Sequence, residues 1–280
     1  LKYIPATCFI KKQLVNNKYD RVIFLQTHAA VACKKVLLKY YPQKYIIDIR
    51  DYTLENLAIY REAEEDVIKN SFIAVISSEG YKAFLPEHNY VIAHNYLEID
   101  FDKWLLLRSL KCRSKPINIA FIGNVRFFDV AKKMLLLFKN DDRFHISFIG
   151  NGVDVLREFC SENNITNTTL LGKFSPDETL SYYKNCDIIN NLYGNNNKYL
   201  DYALSNKLYY AVQLRMPLLV SECTYSSRVA CEYSFGLIWN PDATNAADAL
   251  FNMYMMMDMS KMEKGCKEYM DKVLYDTAIY

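Results

Sequence analysis

Short apolar strands alternate with helical segments along almost the whole chain. In the second half, six apolar runs are separated by stretches of roughly 10–15 residues with helical periodicity. These runs lie at 117–123, 144–150, 168–172, 186–190, 217–221 and 236–240. Because strands that alternate with helices form right-handed βαβ units, the pattern predicts a complete doubly wound parallel sheet.

The first half has the same alternation with fewer strands. Helices are predicted at 28–40 and 54–70, and Ser78 is placed to cap a short third helix. The apolar runs lie at 21–27, 44–50, 72–77 and 89–94. Four strands are few for a doubly wound domain, and the sequence begins at Leu1 in the middle of its pattern. The predicted fold class is therefore α/β, with two Rossmann-like doubly wound parallel-sheet domains of which the N-terminal one is incomplete.

A charged segment that ends before Pro116 interrupts the alternation. A chain of 280 residues suits two domains of about 100–150 residues each, so we place the domain boundary in this segment. The predicted divisions are an N-terminal domain at 1–100, a linker at 101–115, a second domain at 116–242 and C-terminal helices at 243–280. In the C-terminal helices, Asp242 or Thr244 is the expected cap and Gly265 the expected break.

Composition argues against several classes of protein. The net charge is only +2 and charged residues make up 24% of the chain, so nucleic acid is not an expected partner. The 8 cysteines include no CxxC pair and no Cys/His cluster with zinc spacing, and no metal site is predicted. No apolar run reaches the roughly 18–20 residues of a membrane span, and no signal peptide is visible. We therefore expect a cytoplasmic protein, for which the segment 103–115 provides either a peripheral contact with the inner membrane face or an interdomain linker.

Two segments of the second half predict an anion site. FIGNVRFFD (121–129) places Gly123 directly after a buried strand, where the backbone turns sharply and approaches a ligand closely, and Arg126 follows. SNKLYYAVQLRMPLLVS (205–221) begins with a helix that carries Lys207. Cations and helix amides at the carboxyl edge of a parallel sheet hold anions, so a phosphate-bearing ligand is expected. The alternative is a simple strand-to-helix turn with surface cations.

A third segment, LLGKFSPDE (170–178), places Gly172 and Lys173 at a strand end. Its exposed backbone could read the edge of a nucleotide base, and an ordinary helix N-cap is the alternative. FIGNGVDV (148–155) has two glycines of a dinucleotide fingerprint but Val155 in place of the third, and the chain has no P-loop sequence. The sequence therefore argues against a nicotinamide or flavin dehydrogenase and against a P-loop nucleotidase.

Polar residues at the carboxyl ends of three strands of the first half are candidates for contacts with a substrate. His28 and His94 each follow a buried strand at its carboxyl end. Asp48, Arg50 and Asp51 cluster at the end of another strand. There, the carboxylates could orient an acceptor hydroxyl, or the three residues could form a local salt bridge.

Together these stretches resemble bacterial glycosyltransferases of the GT-B architecture, in the group with family-4-like donor domains. In the second half, the stretches that carry the resemblance are FIGNVRFFD, HISFIGNG, LLGKFSPDETLSYYKNCDIINNLY and SNKLYYAVQLRMPLLVS. In the first half they are DIRDYTLEN and YVIAHNYLEID. The resemblance covers nearly the whole chain, and it depends on the order and spacing of the motifs rather than on any single one.

The resemblance implies a nucleotide-sugar donor that the second domain binds without a metal or a cofactor. By position, Arg126 and Lys207 would hold the diphosphate, and Gly123 would let the sugar-phosphate approach. The base would be bracketed by Gly172, Lys173 and Phe174.

The same resemblance assigns further positions. Asn206 is expected to contact the substrate, whereas Tyr210 stands where the family has a glutamate that bonds the ribose hydroxyls. Met216 stands where the family has a glycine. On the acceptor side, Asp51 and His28 are the expected catalytic residues.

The implied reaction is the transfer of a sugar, hexosyl in type, from a nucleotide-sugar to a glycan or lipid-linked acceptor in surface polysaccharide biosynthesis. One alternative is a non-catalytic binding or scaffold subunit of the same fold. Tyr210 favours this alternative, because a tyrosine hydroxyl replaces a bidentate carboxylate poorly. A sugar-nucleotide epimerase of the same fold is the other alternative.

Overall fold

A computed structural model describes residues 4–102, 104 and 116–279. The described residues divide into two compact units. Unit 1 takes its residues from Leu1–His94, Tyr202–Leu204 and Val273–Tyr280, and unit 2 from Asn95–Asp201 and Ser205–Lys272. Most of the linker predicted at 101–115 lies outside the described residues.

Unit 1 contains a four-stranded parallel sheet with the strand order β1-β2-β3-β4. The strands are β1 (Val22–Phe24), β2 (Tyr45–Ile49), β3 (Ile73–Ile76) and β4 (Tyr90–Ile92). Its helices are α1 (Ile4–Asn16), α2 (Thr27–Ala32), α3 (Lys34–Tyr40) and α4 (Ala58–Lys69), with a 3-10 helix at Glu79–Ala83. Every strand predicted in this half is present, and each is shorter than its apolar run.

Two helical features of unit 1 differ from the prediction. The single helix expected at 28–40 is two helices, because the backbone amide of the buried Cys33 bonds to the carbonyl oxygens of both Ala29 and Ala30 and so closes α2. Helix α1 was not predicted. The Tyr41 hydroxyl donates to the Leu14 carbonyl near the end of α1 at 2.9 Å, a tertiary contact that the local sequence does not indicate.

Unit 2 contains a six-stranded parallel sheet with the order β10-β9-β8-β5-β6-β7. The strands are β5 (Ile117–Ile122), β6 (Phe144–Ile149), β7 (Thr168–Leu171), β8 (Ile188–Asn191), β9 (Leu218–Ser221) and β10 (Gly236–Trp239). The predicted complete doubly wound sheet is therefore confirmed, as is the α/β fold class with two parallel sheets.

The helices of unit 2 alternate with these strands. They are α5 (Phe128–Leu137), α6 (Val153–Glu162), α7 (Thr179–Tyr183), α8 (Lys198–Asp201), α9 (Asn206–Leu214), α10 (Tyr225–Glu232), α11 (Ala246–Met256) and α12 (Met259–Ile279, whose last residues belong to unit 1). A short 3-10 helix at Pro176–Glu178 precedes α7. No described helix combines the length and the hydropathy that a membrane span requires.

The strand order of unit 2 reverses direction at β5. Strands β6 and β7 follow on one side of β5, and β8, β9 and β10 follow on the other, where Ile119 of β5 pairs with Ile188 of β8. In a sheet of this kind the loops after the two central strands diverge and leave a crevice at the carboxyl edge. The loops that follow β5 and β8 therefore define the place where a ligand is expected.

The C-terminal helices correct two predictions. Helix α11 begins at Ala246 after Asn245 (φ 60°), so neither Asp242 nor Thr244 is its cap. Gly265 is not a helix break, because α12 continues through it. A Cβ atom on Gly265 would lie 1.6 Å from the carbonyl oxygen of Tyr233, so the glycine allows α12 to pack directly against the backbone that follows α10.

This packing makes a prediction for Gly265→Ala. Alanine normally stabilises a helix relative to glycine by about 1 kcal/mol. Here we expect the opposite sign, a loss of about 1–3 kcal/mol in the free energy of unfolding, because the backbone of α12 has to move away from Tyr233. Urea denaturation measures the change. Lys264→Ala, at an exposed position of the same helix, is the control and should change stability by less than about 0.5 kcal/mol. A Gly265→Ala protein at least as stable as the parent would contradict the packing described.

Candidate functional site

Gly123 and Lys207 come together at the carboxyl edge of the unit 2 sheet. Gly123 directly follows β5 and has a φ of +132°, a backbone conformation that side chains rarely allow. The Nζ atom of Lys207, at the start of α9, lies 3.5 Å from the position that a Cβ atom of Gly123 would occupy. Because Gly123 has no side chain, the ammonium group of Lys207 lies beside backbone atoms that no Cβ atom covers.

The side chain of Lys207 is buried among aromatic rings. Only 7% of the residue is exposed, and its Nζ atom lies 3.8 Å from the centroid of the Phe121 ring. The same atom donates a hydrogen bond to the hydroxyl of Tyr193 at 2.8 Å. A lysine held in one position in this way presents its charge at a fixed point.

The charge of Lys207 has no counter-ion in the described part of the chain. Burial, together with the positive charge of Arg126, lowers the pKa of Lys207 to about 7. No described carboxylate lies within 4 Å of Lys207 or of the exposed Arg126. Two neighbouring cations without an acidic partner form an arrangement that an anion would stabilise.

Tyr193 is a part of this site that the sequence analysis did not identify. It follows β8 by two positions, and its ring makes edge-on contacts with Phe121 (centroids 5.9 Å apart) and Phe127 (5.2 Å). Burial raises the pKa of Tyr193 to about 12, against the opposing effect of Arg126, so its hydroxyl stays protonated at neutral pH. An aromatic residue just beyond a buried strand was the only sequence signal for it.

The two glycines of FIGNGVDV have a packing role. A Cβ atom on Gly150 would lie 1.9 Å from the carbonyl oxygen of Gly123, and one on Gly152 would lie 2.5 Å from that of Val125. The backbone amide of Gly123 also bonds to the Ile149 carbonyl at 2.8 Å. The loop after β6 therefore packs directly against the loop after β5. This close backbone contact explains the two glycines, so no dinucleotide-binding role is needed to account for them.

The segment predicted to bracket a base follows β7 at the same edge of the sheet. Gly172 has no atom within 4 Å of a possible Cβ, and Lys173 is exposed. Phe174 is half-buried, with its ring edge-on to Tyr182 at 5.4 Å between centroids. The structure thus leaves this segment open to solvent, and its contact with a base remains a prediction.

The remaining predicted residues of unit 2 lie on α9. Asn206 is exposed and its Oδ1 atom accepts a hydrogen bond from Asn95 at 2.9 Å. Tyr210 is half-buried, and its ring centroid lies 5.4 Å from that of the buried Tyr183. The ring of Tyr210 is thus held by another tyrosine on α7.

The turn that ends α9 contains Met216, which stands where the resemblance places a glycine. Arg215 is the residue in the left-handed conformation, with φ 51°. Met216 is fully buried instead. Met216 thus packs in the core of unit 2, and its correspondence to the family's glycine stays a prediction.

The candidate catalytic residues lie in unit 1. His28 is half-buried in the first turn of α2, and Asp51 is exposed just after β2. Arg50 forms an ion pair with Asp48 (Nε to Oδ1, 2.6 Å), which is the local salt bridge considered as the alternative. The side chain of His94 is buried and its Nε2 atom lies 2.9 Å from Asp276, so it has a structural partner. The structure gives His28 and Asp51 positions at the carboxyl edge, and their catalytic roles stay predictions.

Unit 1 also contains a buried pair of carboxyl groups that the sequence analysis missed. Glu55 is 4% exposed and accepts hydrogen bonds from the backbone amide and hydroxyl of Thr53, in the loop after β2. Glu64, on the buried face of α4, is 1% exposed. Burial and the neighbouring Glu55 carboxylate raise the pKa of Glu64 to about 8. Glu64 is therefore largely protonated at neutral pH.

Comparison with known proteins gives a clear result at the level of fold. No family model matches the chain, and no curated protein sequence matches it significantly. Among solved structures, Anabaena HepE in complex with UDP is similar over 98% of this chain and 80% of its own, with a TM-score of 0.69 and 9% identity. Sucrose-phosphate synthase from Thermosynechococcus elongatus is similar over 98% and 74%, with a TM-score of 0.66 and 11% identity. The lipopolysaccharide outer core galactosyltransferase WaaB is similar over 97% and 77%, with a TM-score of 0.64 and 14% identity.

These similarities define the class of fold. The chain has the GT-B fold, with two parallel-sheet α/β units, as its structural neighbours do. The sequence identities are too low to assign an activity from the neighbours alone, so function has to be argued from the residues of the site.

Proposed function

We propose that the protein is a glycosyltransferase that binds a nucleotide-sugar in unit 2 and transfers its sugar to a glycan or lipid-linked acceptor. The observation that carries the proposal is the buried ammonium group of Lys207, which lies beside Gly123 at the switch point of the sheet without an acidic partner among the described residues. A buried cation of this kind is costly unless an anionic ligand binds it.

The chemistry of the site suits a nucleoside diphosphate leaving group. When a sugar leaves its donor, negative charge develops on the diphosphate, and fixed cations stabilise that charge in the transition state. Lys207 supplies a fixed cation and Arg126 a second, exposed one that can move onto the ligand. The structural neighbour HepE adds support, since it was solved in complex with UDP and with UDP-glucose.

The finer parts of the proposal follow the sequence resemblance. We expect a family-4-like enzyme that transfers a hexosyl group without a metal, in surface polysaccharide biosynthesis, at the cytoplasmic face of the membrane. Asp51 and His28 are the proposed catalytic residues on the acceptor side. Addition of EDTA should leave the transfer rate unchanged if no metal takes part.

A nucleotide-binding subunit without transfer activity is the second candidate function. It is favoured by Tyr210, whose ring packs on Tyr183 where the related enzymes are expected to have a carboxylate for the ribose. A phenol offers fewer acceptor positions than a carboxylate, so ribose binding would be weaker.

Calorimetric titration with UDP, GDP, ADP and CDP, followed by assays with the matching nucleotide-sugars, tests both candidates. We expect one nucleoside diphosphate to bind and its sugar conjugate to be turned over. Binding without release of the nucleoside diphosphate would support the second candidate. If none of the four nucleotides binds, the donor site proposed for unit 2 is wrong.

A further inference from the structure

Unit 2 has a cavity at the carboxyl edge of β8, β9 and β10, which we name the β8–β10 cavity. Its volume is about 460 Å³, and its walls are the loops after these three strands and the first two turns of α5. Gly123, Arg126 and Lys207 do not line it. The volume falls within the range of about 300–1,000 Å³ that is usual for small-molecule sites. The cavity is therefore large enough for a ligand of its own.

Two polar groups in the wall have unused hydrogen-bonding capacity. Asn240 donates to the Oε1 atom of Glu222 at 2.8 Å, which fixes the carboxylate, whereas the Oε2 atom has no donor among the described residues. Ser221 is 8% exposed, and its Oγ atom accepts a hydrogen bond from the Gly194 amide at 3.0 Å. The Ser221 proton has no acceptor in the described part of the chain. The wall thus presents a fixed acceptor and a fixed donor.

The cavity is acidic. Lys133 forms an ion pair with Asp242, whereas Asp129 and Glu222 have no described cation within 4 Å. Three carboxylates and one ammonium group give the lining a net charge of −2 at neutral pH. A phosphate or a nucleotide would be repelled here, and a ligand with a positive charge would be attracted.

The two most buried residues of the cavity lining are apolar. Leu192 and Trp239 are both at least 95% buried and contribute carbon surface. The indole N–H of Trp239 already donates to the Ala246 carbonyl at 2.8 Å, so the ring offers no further hydrogen bond. The ligand should therefore combine an apolar face with hydroxyl groups at its edge, which is the surface of a pyranose ring.

We propose that the β8–β10 cavity binds a sugar unit that carries a free amino group. Its hydroxyl groups would donate to Glu222 and accept from Ser221, and its ammonium group would lie near Asp129. The site is separate from the anion site at Lys207, and the inference does not require the protein to be a transferase.

Titrations of the whole protein with glucosamine, glucose and N-acetylglucosamine, followed by ligand-observed NMR, test the inference. Glucosamine should bind about tenfold more tightly than either neutral sugar, because only it has a charge to pair with the cavity. Glu222→Gln and Asp129→Asn should each weaken glucosamine binding by about tenfold. Glu158→Gln, an exposed change on α6 outside the cavity, is the matched control and should have no effect.

The affinity for nucleoside diphosphate is measured on the same variants, so that the two sites are tested separately. It should be unchanged in Glu222→Gln and Asp129→Asn. No binding of glucosamine up to about 50 mM, or equal binding of the three sugars, would overturn the inference. A loss of nucleotide affinity in Glu222→Gln would also overturn the inference, because the cavity would then belong to the nucleotide site. A parent protein that binds glucosamine but no nucleotide would refute the proposed function and leave this inference intact.

Discussion

Lys207→Met is expected to weaken the binding of a nucleoside diphosphate by about 1.5–3 kcal/mol, which is roughly 10-fold to 150-fold in the dissociation constant. Methionine is an unbranched side chain of similar length, and it removes the charge that lies 3.8 Å from the centroid of the Phe121 ring. The effect should be large because Lys207 is buried and has no acidic partner among the described residues, so the ligand supplies its only counter-charge.

The charge of Lys207 also predicts how binding depends on pH. The pKa of about 7 means that the free protein is largely uncharged at this position at pH 8, whereas a bound diphosphate would favour the ammonium form. Binding should therefore take up about one proton at pH 8, and affinity should fall by up to tenfold per pH unit above 7. Below pH 7 the lysine is already charged, so little proton uptake is expected.

Calorimetry in two buffers with different ionisation enthalpies measures both effects. The parent protein should show a buffer-dependent binding enthalpy at pH 8, and Lys207→Met should show much less. Lys139→Met is the matched control, since Lys139 is exposed beyond the far end of α5. Equal affinities for the parent and Lys207→Met proteins would remove Lys207 from the binding site.

Glu64→Gln is expected to raise the free energy of unfolding by roughly 2–4 kcal/mol at pH 8. In the folded protein, burial and Glu55 raise the pKa of Glu64 from 4.5 to about 8. The folded state then holds a proton that the unfolded chain releases between about pH 4.5 and 8, so the stability of the parent protein falls as the pH rises through this window. Glutamine resembles the protonated acid in shape and does not ionise, so the variant should lose most of this pH dependence.

Urea denaturation at pH 5 and pH 8 provides the measurement. The parent and Glu64→Gln proteins should differ little at pH 5 and clearly at pH 8. Glu62→Gln, at an exposed position of α4, removes the same charge without affecting the buried pair. If all three proteins show the same change between the two pH values, the carboxyl pair does not control the stability of unit 1.

The parts of the fold that depend on local pattern could be predicted from the sequence. The helix that carries Lys207 was predicted at the start of the segment 205–221, and it lies there at Asn206–Leu214, because apolar spacing and the following Met-Pro pair mark its extent. The strands of both sheets were predicted from their runs of apolar residues. The GT-B architecture was implied by the resemblance of the sequence motifs to bacterial glycosyltransferases, which depends on the order and spacing of those motifs.

Features that depend on contacts between distant elements could not be predicted in this way. Tyr193 is the hydrogen-bond partner of Lys207 only because β8 and α9 lie side by side. Gly265 is typical of a helix break, yet the backbone of Tyr233 requires a glycine within the helix. Glu64 has a sequence context like its exposed neighbours, and only the packing of α4 reveals that it is buried.

The hydrogen bond between Lys207 and Tyr193 helps to fix the shape of the anion site. A phenol hydroxyl can accept a hydrogen bond from an ammonium group and can equally donate one to a neutral amine. The 2.8 Å contact therefore remains favourable in either protonation state, with the hydrogen shifting from one partner to the other. The side chain of Lys207 can thus gain or lose its charge without moving, and the site keeps its shape through both states.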